Sequence, residues 1–338
     1  MRRKFVILAI GLQVVLLAAM ALEREYIVRY GTEVYLRTAP IDPRDIFRGD
    51  YVRLNYEISQ VPMRKAQGSL ADNETEKPKD SKLYSVVAPG EGGVSELQYI
   101  TDSKPDDGLF LKGRLSHRWR PKVTSHKALN VKYGIEAYFV EQGKGLEMEK
   151  KRGNRTGIQV PLEMKIALGG NGTAVIKGHR WSKLGMGLKV LRQGRQRNQK
   201  DGPLSGKLEL TLQNVSNEEL AIVNLPDACS FSLEPVSQTD EMLSLANNPC
   251  QDLVVSEQHI IVLAPKGRKT WKLDFSEPRW HVSQKDKVVE TGSLPWGNRF
   301  RLVYRPPSRS EARHLVQPDL IWHGYLPSRA FHGRGRVD

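Results

Sequence analysis

Five charged side chains of both signs lie within nine residues near the start of the chain. They are Asp42, Arg44, Asp45, Arg48 and Asp50. Such a cluster can form a salt-bridged corner that holds a turn, or it can line a polar pocket. If folding brings Glu136 close to Asp45 or Asp50, the two carboxyl groups could act as general acid and base in a hydrolysis. Carboxylate-dependent hydrolysis is therefore one chemistry that the sequence allows.

Other local signatures of catalysis or metal binding are missing. The sequence contains no GxxxxGK[ST], HExxH, GxSxG or EF-hand pattern, and no serine is followed three residues later by lysine. His117, His126 and His179 lie far apart, without the spacing of metal ligands. With only two cysteines, four-cysteine zinc sites and cysteine-ligated iron-sulfur clusters are excluded. We predict no metal and no cofactor.

The N-terminal segment predicts a membrane anchor. Residues 5–22, FVILAIGLQVVLLAAMAL, carry no charge and are close to the shortest run that spans a bilayer. The basic residues 2–4 precede this run, so the positive-inside rule places the N-terminus in the cytoplasm and the bulk of the chain outside. The sequence AMA at residues 19–21 also fits a cleavage site, which makes a cleaved signal peptide the alternative. In a bacterium, the bulk of the chain would lie in the periplasm, and an uncleaved chain would be a single-pass inner-membrane protein.

An extracytoplasmic location changes how the charge and the cysteines are interpreted. The 52 Lys and Arg exceed the 38 Asp and Glu by 14, but nucleic acid is not expected as a partner outside the cytoplasm. Anionic lipid or polymer is a candidate contact for the arginine-rich stretch after Asn298, whose arginines could equally be ordinary strand-face residues. Cys229 and Cys250 are expected to form a disulfide in an oxidising space.

Period-two alternation of apolar residues predicts a mainly β fold with a single N-terminal transmembrane helix. Strands are predicted at 33–36, 51–58, 83–88, 109–115 and 162–168. The sequence GGNG at residues 169–172 predicts a hairpin turn, because glycine and asparagine tolerate positive φ.

The length of 338 residues predicts about two domains. Residues 1–22 form the anchor or signal peptide, 23–191 a β-rich domain, and 192–206 a basic linker rich in glycine and proline. Short strands at regular spacing over 207–338 suggest an immunoglobulin-like β-sandwich domain, although no Trp lies between the cysteines. Both β-rich domains are expected to be extracytoplasmic.

Residues 38–58, TAPIDPRDIFRGDYVRLNYEI, resemble the GDYXXLXY protein family. The match to the name motif lies at Gly49, Asp50, Tyr51, Leu54 and Tyr56, and Pro40, Asp42, Pro43, Arg44, Asp45 and Arg48 are similar to the family's lead-in. A second block at residues 133–140, which contains Glu136, is similar to a downstream family motif, so the resemblance covers about residues 1–190. The resemblance implies membrane-associated bacterial proteins, often found with polytopic membrane proteins, that have no established activity.

The alternation within the motif assigns its side chains to two faces. Leu54 and Tyr56 share one face with Val52 and Ile58 and are expected in the core. Our leading hypothesis is an anchored periplasmic protein that binds or stabilises another membrane or envelope protein, with the residues around Arg48 and Asp50 as its contact or internal brace. The alternative is an anchored hydrolase of an envelope polymer.

Overall fold

The protein is mainly β, with one long apolar helix at its N-terminus, as the sequence predicts. The computed structural model describes residues 2–38, 51–71, 76–118, 128–153, 157–191, 206–236, 243–246, 250, 253–284, 287–295, 297–333 and 336–337. The predicted basic linker, apart from Gly206, lies outside the described residues.

The helices are α1 (Arg2–Tyr30) and α2 (Lys144–Arg152). The strands of the N-terminal half are β1 (Thr32–Arg37), β2 (Tyr51–Arg53), β3 (Gln60–Pro62), β4 (Lys82–Pro89), β5 (Ser95–Thr101), β6 (Leu109–Leu115), β7 (Ala128–Lys132), β8 (Ala137–Phe139), β9 (Leu162–Leu168) and β10 (Ala174–Trp181). The strands that follow are β11 (Leu184–Val190), β12 (Lys207–Asn214), β13 (Leu220–Val223), β14 (Phe231–Pro235), β15 (Ser244–Leu245), β16 (Ile260–Leu263), β17 (Arg268–Asp274), β18 (Val282–Gln284), β19 (Lys287–Val289), β20 (Phe300–Tyr304), β21 (Leu326–Pro327), β22 (Phe331–His332) and β23 (Arg336–Val337).

Helix α1 is long and apolar enough to cross a membrane, and none of its most apolar stretch is buried in the protein. A membrane span and a signal sequence both have these properties. Near the end of the helix, Ile27 is buried, and Asn171 donates a hydrogen bond to Glu23 at 3.2 Å. The amide of Gly31 bonds to the carbonyl of Ile27 at 2.8 Å, directly before β1 begins. The C-terminal end of α1 is therefore packed onto the folded part of the chain.

Three sheets form the N-terminal half. In the first, of order β1-β9-β10, the turn between β9 and β10 is the predicted GGNG hairpin, with Gly172 at φ +80°. The second has the order β3-β7-β6-β4-β5, and the third is the pair β2-β8. Apolar side chains from all three sheets form one core, which includes Leu36, Tyr56, Ile100 and Met164.

The remaining strands form further antiparallel sheets around a second core. Their orders are β11-β12-β17, β13-β16, β15-β18-β19 and β14-β20-β22-β23, with β21 paired to β20. Strand β12 alternates buried and more exposed residues, and its Leu208, Leu210 and Leu212 are fully buried. Strand β11 lies before the predicted linker, yet it pairs with β12 and contributes Leu184 and Leu188 to the second core. Among the described residues, the chain thus passes from the first core to the second at the turn between β10 and β11.

Candidate functional site

The structure describes four of the candidate site residues: Tyr51, Leu54, Tyr56 and Glu136. The others, Arg44, Asp45, Arg48, Gly49 and Asp50, lie outside the described residues. As predicted, Leu54 and Tyr56 are buried, at 3% and 0% exposure. The prediction of one strand over residues 51–58 is wrong, because β2 ends at Arg53 and a 3-10 turn forms at Glu57–Ser59. The amide of Ser59 closes this turn by bonding to the carbonyl of Tyr56 at 2.9 Å.

The two family-like blocks lie side by side. Strands β2 and β8 pair in antiparallel register, with Tyr51 opposite Phe139 and Arg53 opposite Ala137. The rings of Tyr51 and Phe139 are 6.0 Å apart. Beyond the strand, the amide of Leu54 continues the pairing to the carbonyl of Glu136 at 2.8 Å. The described part of the motif and the block around Glu136 therefore form one unit, while Asp45 and Asp50, the other carboxylates of the hydrolase hypothesis, lie outside the described residues.

Two buried tyrosines lock this unit. The hydroxyl of Tyr56 donates to the carbonyl of Ile135 at 2.8 Å, and that of Tyr133 donates to the carbonyl of Ile58 at 2.8 Å. Ser85 also lies 2.7 Å from the Tyr133 hydroxyl. Burial raises the pKa of both tyrosines, so both hydroxyls stay protonated and serve as donors. The backbone is thus fixed at Tyr56 and at Ile58, on either side of Glu57.

Glu136 braces a turn. Its carboxylate accepts hydrogen bonds from the amide of Tyr133 at 2.5 Å and from the amide of Gly134 at 3.0 Å. Gly134 has φ +80°, a conformation that favours glycine. Because its carboxylate accepts hydrogen bonds from two backbone amides, Glu136 stabilises the turn.

Glu57, whose backbone is held by the hydrogen bonds of the two tyrosines, lines a pocket of about 210 Å³ between the two halves of the chain. Among the described residues, its carboxylate has no hydrogen-bond or ion-pair partner. Burial raises its pKa, against the opposing effect of Arg37 and Arg301. We call this cavity the inter-half pocket. It is lined by Arg37, Glu57, Ile58, Gln60, Pro62, Arg64, Lys65, Gly92, Val94, Ser95, Glu96, Leu97, Glu234, Arg301, Arg305, Gly324 and Tyr325.

The C-terminal wall of the inter-half pocket is an arginine cluster around an aromatic ring. One Glu234 oxygen lies 3.0 Å from Arg301 and the other lies 3.0 Å from Arg305. The guanidinium carbons of Arg37, Arg301 and Arg305 lie 5.6, 5.5 and 4.6 Å from the centre of the Tyr325 ring. Cation-π contacts of this kind hold guanidinium groups in fixed positions. Arg301 and Arg305 belong to the stretch predicted as a contact for anionic lipid, and the structure ion-pairs both with Glu234.

The N-terminal wall contains a buried ion-pair network. Arg37 and Glu163, whose side chains are 4% and 5% exposed, lie 3.1 Å apart. Arg180 bonds to the other Glu163 oxygen at 2.7 Å and to the carbonyl of Gly92 at 3.0 Å. Arg37 also donates to the backbone carbonyl of Tyr325, which links β1 to the C-terminal half. This network fixes the position of the Arg37 guanidinium at the pocket.

The hairpin between β4 and β5 closes the pocket against the C-terminal half. A Cβ at Gly92 would lie 2.9 Å from the carbonyl oxygen of His323, so only glycine permits this approach of the two backbones. Next to Gly92, Glu91 accepts a hydrogen bond from the amide of Arg309 at 3.0 Å. Lys65 donates to the carbonyl of Leu97 at the same mouth, and burial lowers its pKa.

The inter-half pocket is not apparent from the sequence. Its one local signal is Glu57, a charged residue directly after the last motif position and on the face opposite Tyr56. Arg37 and Tyr325 are 288 positions apart, so no spacing rule connects them.

The remaining sequence predictions concern metals and cysteines. Cys229 and Cys250 form the predicted disulfide, with Cα atoms 5.5 Å apart. Within the described ranges, no group of three or more His, Cys, Asp or Glu side chains could hold a metal ion. His126 lies outside those ranges. His179 is 3.3 Å from the Tyr138 hydroxyl, and burial together with Lys151 lowers its pKa.

Comparison with known proteins gives one match, to the family model described as GDYXXLXY protein, over residues 13–178. No curated protein and no solved structure matches the chain. The matched segment contains α1 from Gln13 onward, the motif lock of Tyr56 and Tyr133, and Arg37 and Glu163 of the N-terminal wall. The match covers 166 of the 338 residues, and through this segment the chain is similar to the GDYXXLXY protein family.

Proposed function

We propose that the protein is a single-pass protein of the bacterial inner membrane that binds or stabilises another membrane or envelope protein. Its N-terminus would lie in the cytoplasm and its β-rich part, in two domains, in the periplasm. Helix α1 would be the anchor, and its last turns, where Glu23 and Ile27 contact the folded part, would lie on the periplasmic side.

The observation that carries the proposal is the inter-half pocket. Two buried tyrosines and the Glu136 carboxylate hold the backbone around Glu57, and both halves of the chain contribute charged side chains to the pocket. A carboxylate that pairs with none of the described residues and lies beside fixed guanidinium groups has capacity for further hydrogen bonds and ion pairs. A partner group placed in the pocket would use this capacity.

Crosslinked affinity purification of the full chain from membranes tests the proposal. The double variant Arg64→Ala/Lys65→Ala removes two basic side chains of the pocket and leaves the motif lock intact. We expect the variant to lose a partner that the unaltered chain recovers in stoichiometric amounts. Arg268→Ala, an exposed basic residue on β17 away from the pocket, is the matched control and should keep the partner. Equal recovery with the pocket variant would contradict the proposal.

One feature of Glu57 favours a second candidate, the anchored hydrolase of an envelope polymer. A partly buried carboxyl group with a raised pKa is suited to act as a general acid. The hydrolase hypothesis drawn from the sequence relied on Glu136. In the structure, the Glu136 carboxylate instead accepts hydrogen bonds from two backbone amides. Incubation of the full chain with cell-wall material should then release soluble product, and Glu57→Gln should abolish the release. No product from the unaltered chain would eliminate this candidate.

A further inference from the structure

The charges around the inter-half pocket are not balanced. Glu234 is shared by Arg301 and Arg305, so one carboxylate serves two guanidinium groups. On the opposite wall, Glu163 is likewise shared by Arg37 and Arg180. Within each of these two clusters, the guanidinium groups therefore outnumber the carboxylates by one.

Two more basic side chains add to this excess at the mouth of the pocket. Arg64 is exposed and, within the described part of the chain, has no ion-pair partner. Lys65 donates to a backbone carbonyl, and Glu96 compensates part of its charge. Fixed guanidinium groups bind carboxylate and phosphate oxygens through charge-assisted hydrogen bonds. The field of the pocket thus favours an oxyanion.

Glu57 opposes an oxyanion only while it is ionised. A carboxylate beside a bound anion is repelled by it, whereas a protonated carboxyl group donates a hydrogen bond to it. The charged and titratable groups that face Glu57 come from β1, β5, β14, β20 and the segment before β21: Arg37, Glu96, Glu234, Arg301 and Tyr325. Of these, Glu96 and Glu234 favour protonation of Glu57, while Arg37 and Arg301 favour its ionised form.

We infer that the inter-half pocket binds an oxyanion, a carboxylate or a phosphate group, and that Glu57 takes up a proton from solvent when the anion binds. The proton resides on a Glu57 carboxyl oxygen and is directed at the anion, while the arginines of both walls supply the opposite charge. Burial of Glu57, which already favours its neutral form, reduces the cost of this uptake. The inference rests on the proposed function, since it names the group that the partner would present to the pocket.

Calorimetric titration of the full chain in a nonionic detergent tests this inference. The probes are N-acetylglycine for a carboxylate, inorganic phosphate for a phosphate group, and N-acetylglycinamide as the neutral control. We expect at least one oxyanion to bind and the amide not to bind. Which of the two binds identifies the source of the anionic group, and either result supports the inference.

The uptake of a proton on binding is tested with N-acetylglycine or phosphate at two pH values and in buffers of different ionisation enthalpy. The affinity should fall, by up to about tenfold per pH unit, as pH rises above the range in which Glu57 is protonated. Net proton uptake should accompany binding. Glu57→Gln, which keeps a hydrogen-bond donor without a titrating proton, should still bind the carboxylate and should lose the uptake. Glu219→Gln, the same substitution at an exposed position that does not line the pocket, should retain it.

Two results would overturn the inference. If neither oxyanion binds while partner recovery still depends on Arg64 and Lys65, the proposed function stands and the oxyanion is wrong. If binding takes up no proton, or if Glu57→Gln takes up as much as the unaltered chain, Glu57 is not the coupled group.

Discussion

The hydroxyl of Tyr56 donates a 2.8 Å hydrogen bond to the carbonyl of Ile135, 79 positions further along the chain. This bond joins the last residue of the name motif to the block that precedes β8. Because Tyr133 makes the reciprocal contact to Ile58, the backbone around Glu57 is held from both sides. The described part of the motif therefore holds the next residue, Glu57, in position. Glu57, whose side chain lines the pocket, is itself outside the motif.

Removing the Tyr56 hydroxyl should destabilise the protein. In Tyr56→Phe, the Ile135 carbonyl keeps its buried position and loses its donor, which costs about 1 to 3 kcal/mol of unfolding free energy. Urea denaturation of the full chain in detergent measures the change. Tyr51→Phe is the matched control, because Tyr51 is a motif tyrosine at a partly exposed position, and its stability should be nearly unchanged. Equal stability of the two variants would show that the Tyr56 bond contributes nothing.

Glu136 should behave as a turn brace. Glu136→Ala leaves the amides of Tyr133 and Gly134 without their acceptor, and we expect a loss of about 1.5 to 3 kcal/mol in unfolding free energy. At temperatures where the variant is folded, its binding of N-acetylglycine or phosphate should match that of the unaltered chain. A folded variant that retains full stability but loses ligand binding would return Glu136 to the list of binding residues.

Glu163 should be one of the most sensitive charged positions. Glu163→Gln leaves the buried guanidinium of Arg37 without a counter-charge, and loss of one partner of a buried pair costs about 3 to 5 kcal/mol. Denaturation of the full chain in detergent measures this loss.

Glu33 is the matched control for Glu163 within the same sheet. It also contacts two basic side chains, Lys165 at 2.7 Å and Lys177 at 2.6 Å, but its side chain is 41% exposed. Solvent screens such pairs, so Glu33→Gln should leave the stability nearly unchanged. If both substitutions have the same effect, burial is not what distinguishes the two glutamates.

The disulfide should stabilise the C-terminal half. Cys229 and Cys250 are 21 positions apart, and closing a loop of this length contributes about 3 kcal/mol in the chain-entropy description. Denaturation midpoints with and without dithiothreitol measure the difference. The double variant Cys229→Ala/Cys250→Ala should match the reduced protein and should not respond to the reductant. A midpoint unchanged by complete reduction would contradict the expectation.

Local patterns in the sequence predict the regular strands well. The predicted segments at 83–88, 109–115 and 162–168 lie within β4, β6 and β9, because each alternates or accumulates apolar residues over a full strand length. The GGNG hairpin follows from backbone freedom alone. Helix α2 is not predicted, since KGLEMEKKR is short, highly charged and has only Met148 buried.

Features that depend on distant contacts are not predictable from one sequence. The alternation at residues 51–58 correctly assigns Leu54 and Tyr56 to the core, but it misses the 3-10 turn that directs Glu57 to the pocket. The arginines of the pocket come from both halves of the chain, and only folding reveals that Arg37 and Arg301 share the ring of Tyr325.

The pH dependence of stability should report Glu57 directly. Its pKa is raised in the folded state, so the folded protein binds more protons than the unfolded chain above the ordinary range of a glutamate. The neutral form of Glu57 therefore favours the folded state at low pH, and this contribution to the free energy of unfolding is lost as pH rises through the folded-state pKa. Glu57→Gln removes the titrating group, so the variant should gain stability relative to the unaltered chain at about pH 8, and the gain should shrink towards about pH 4. Denaturation midpoints of both chains across this range measure the difference, with Glu219→Gln, at an exposed position outside the pocket, as the matched control. A gain that is the same at both ends of the range would mean that the proton on Glu57 does not affect folding.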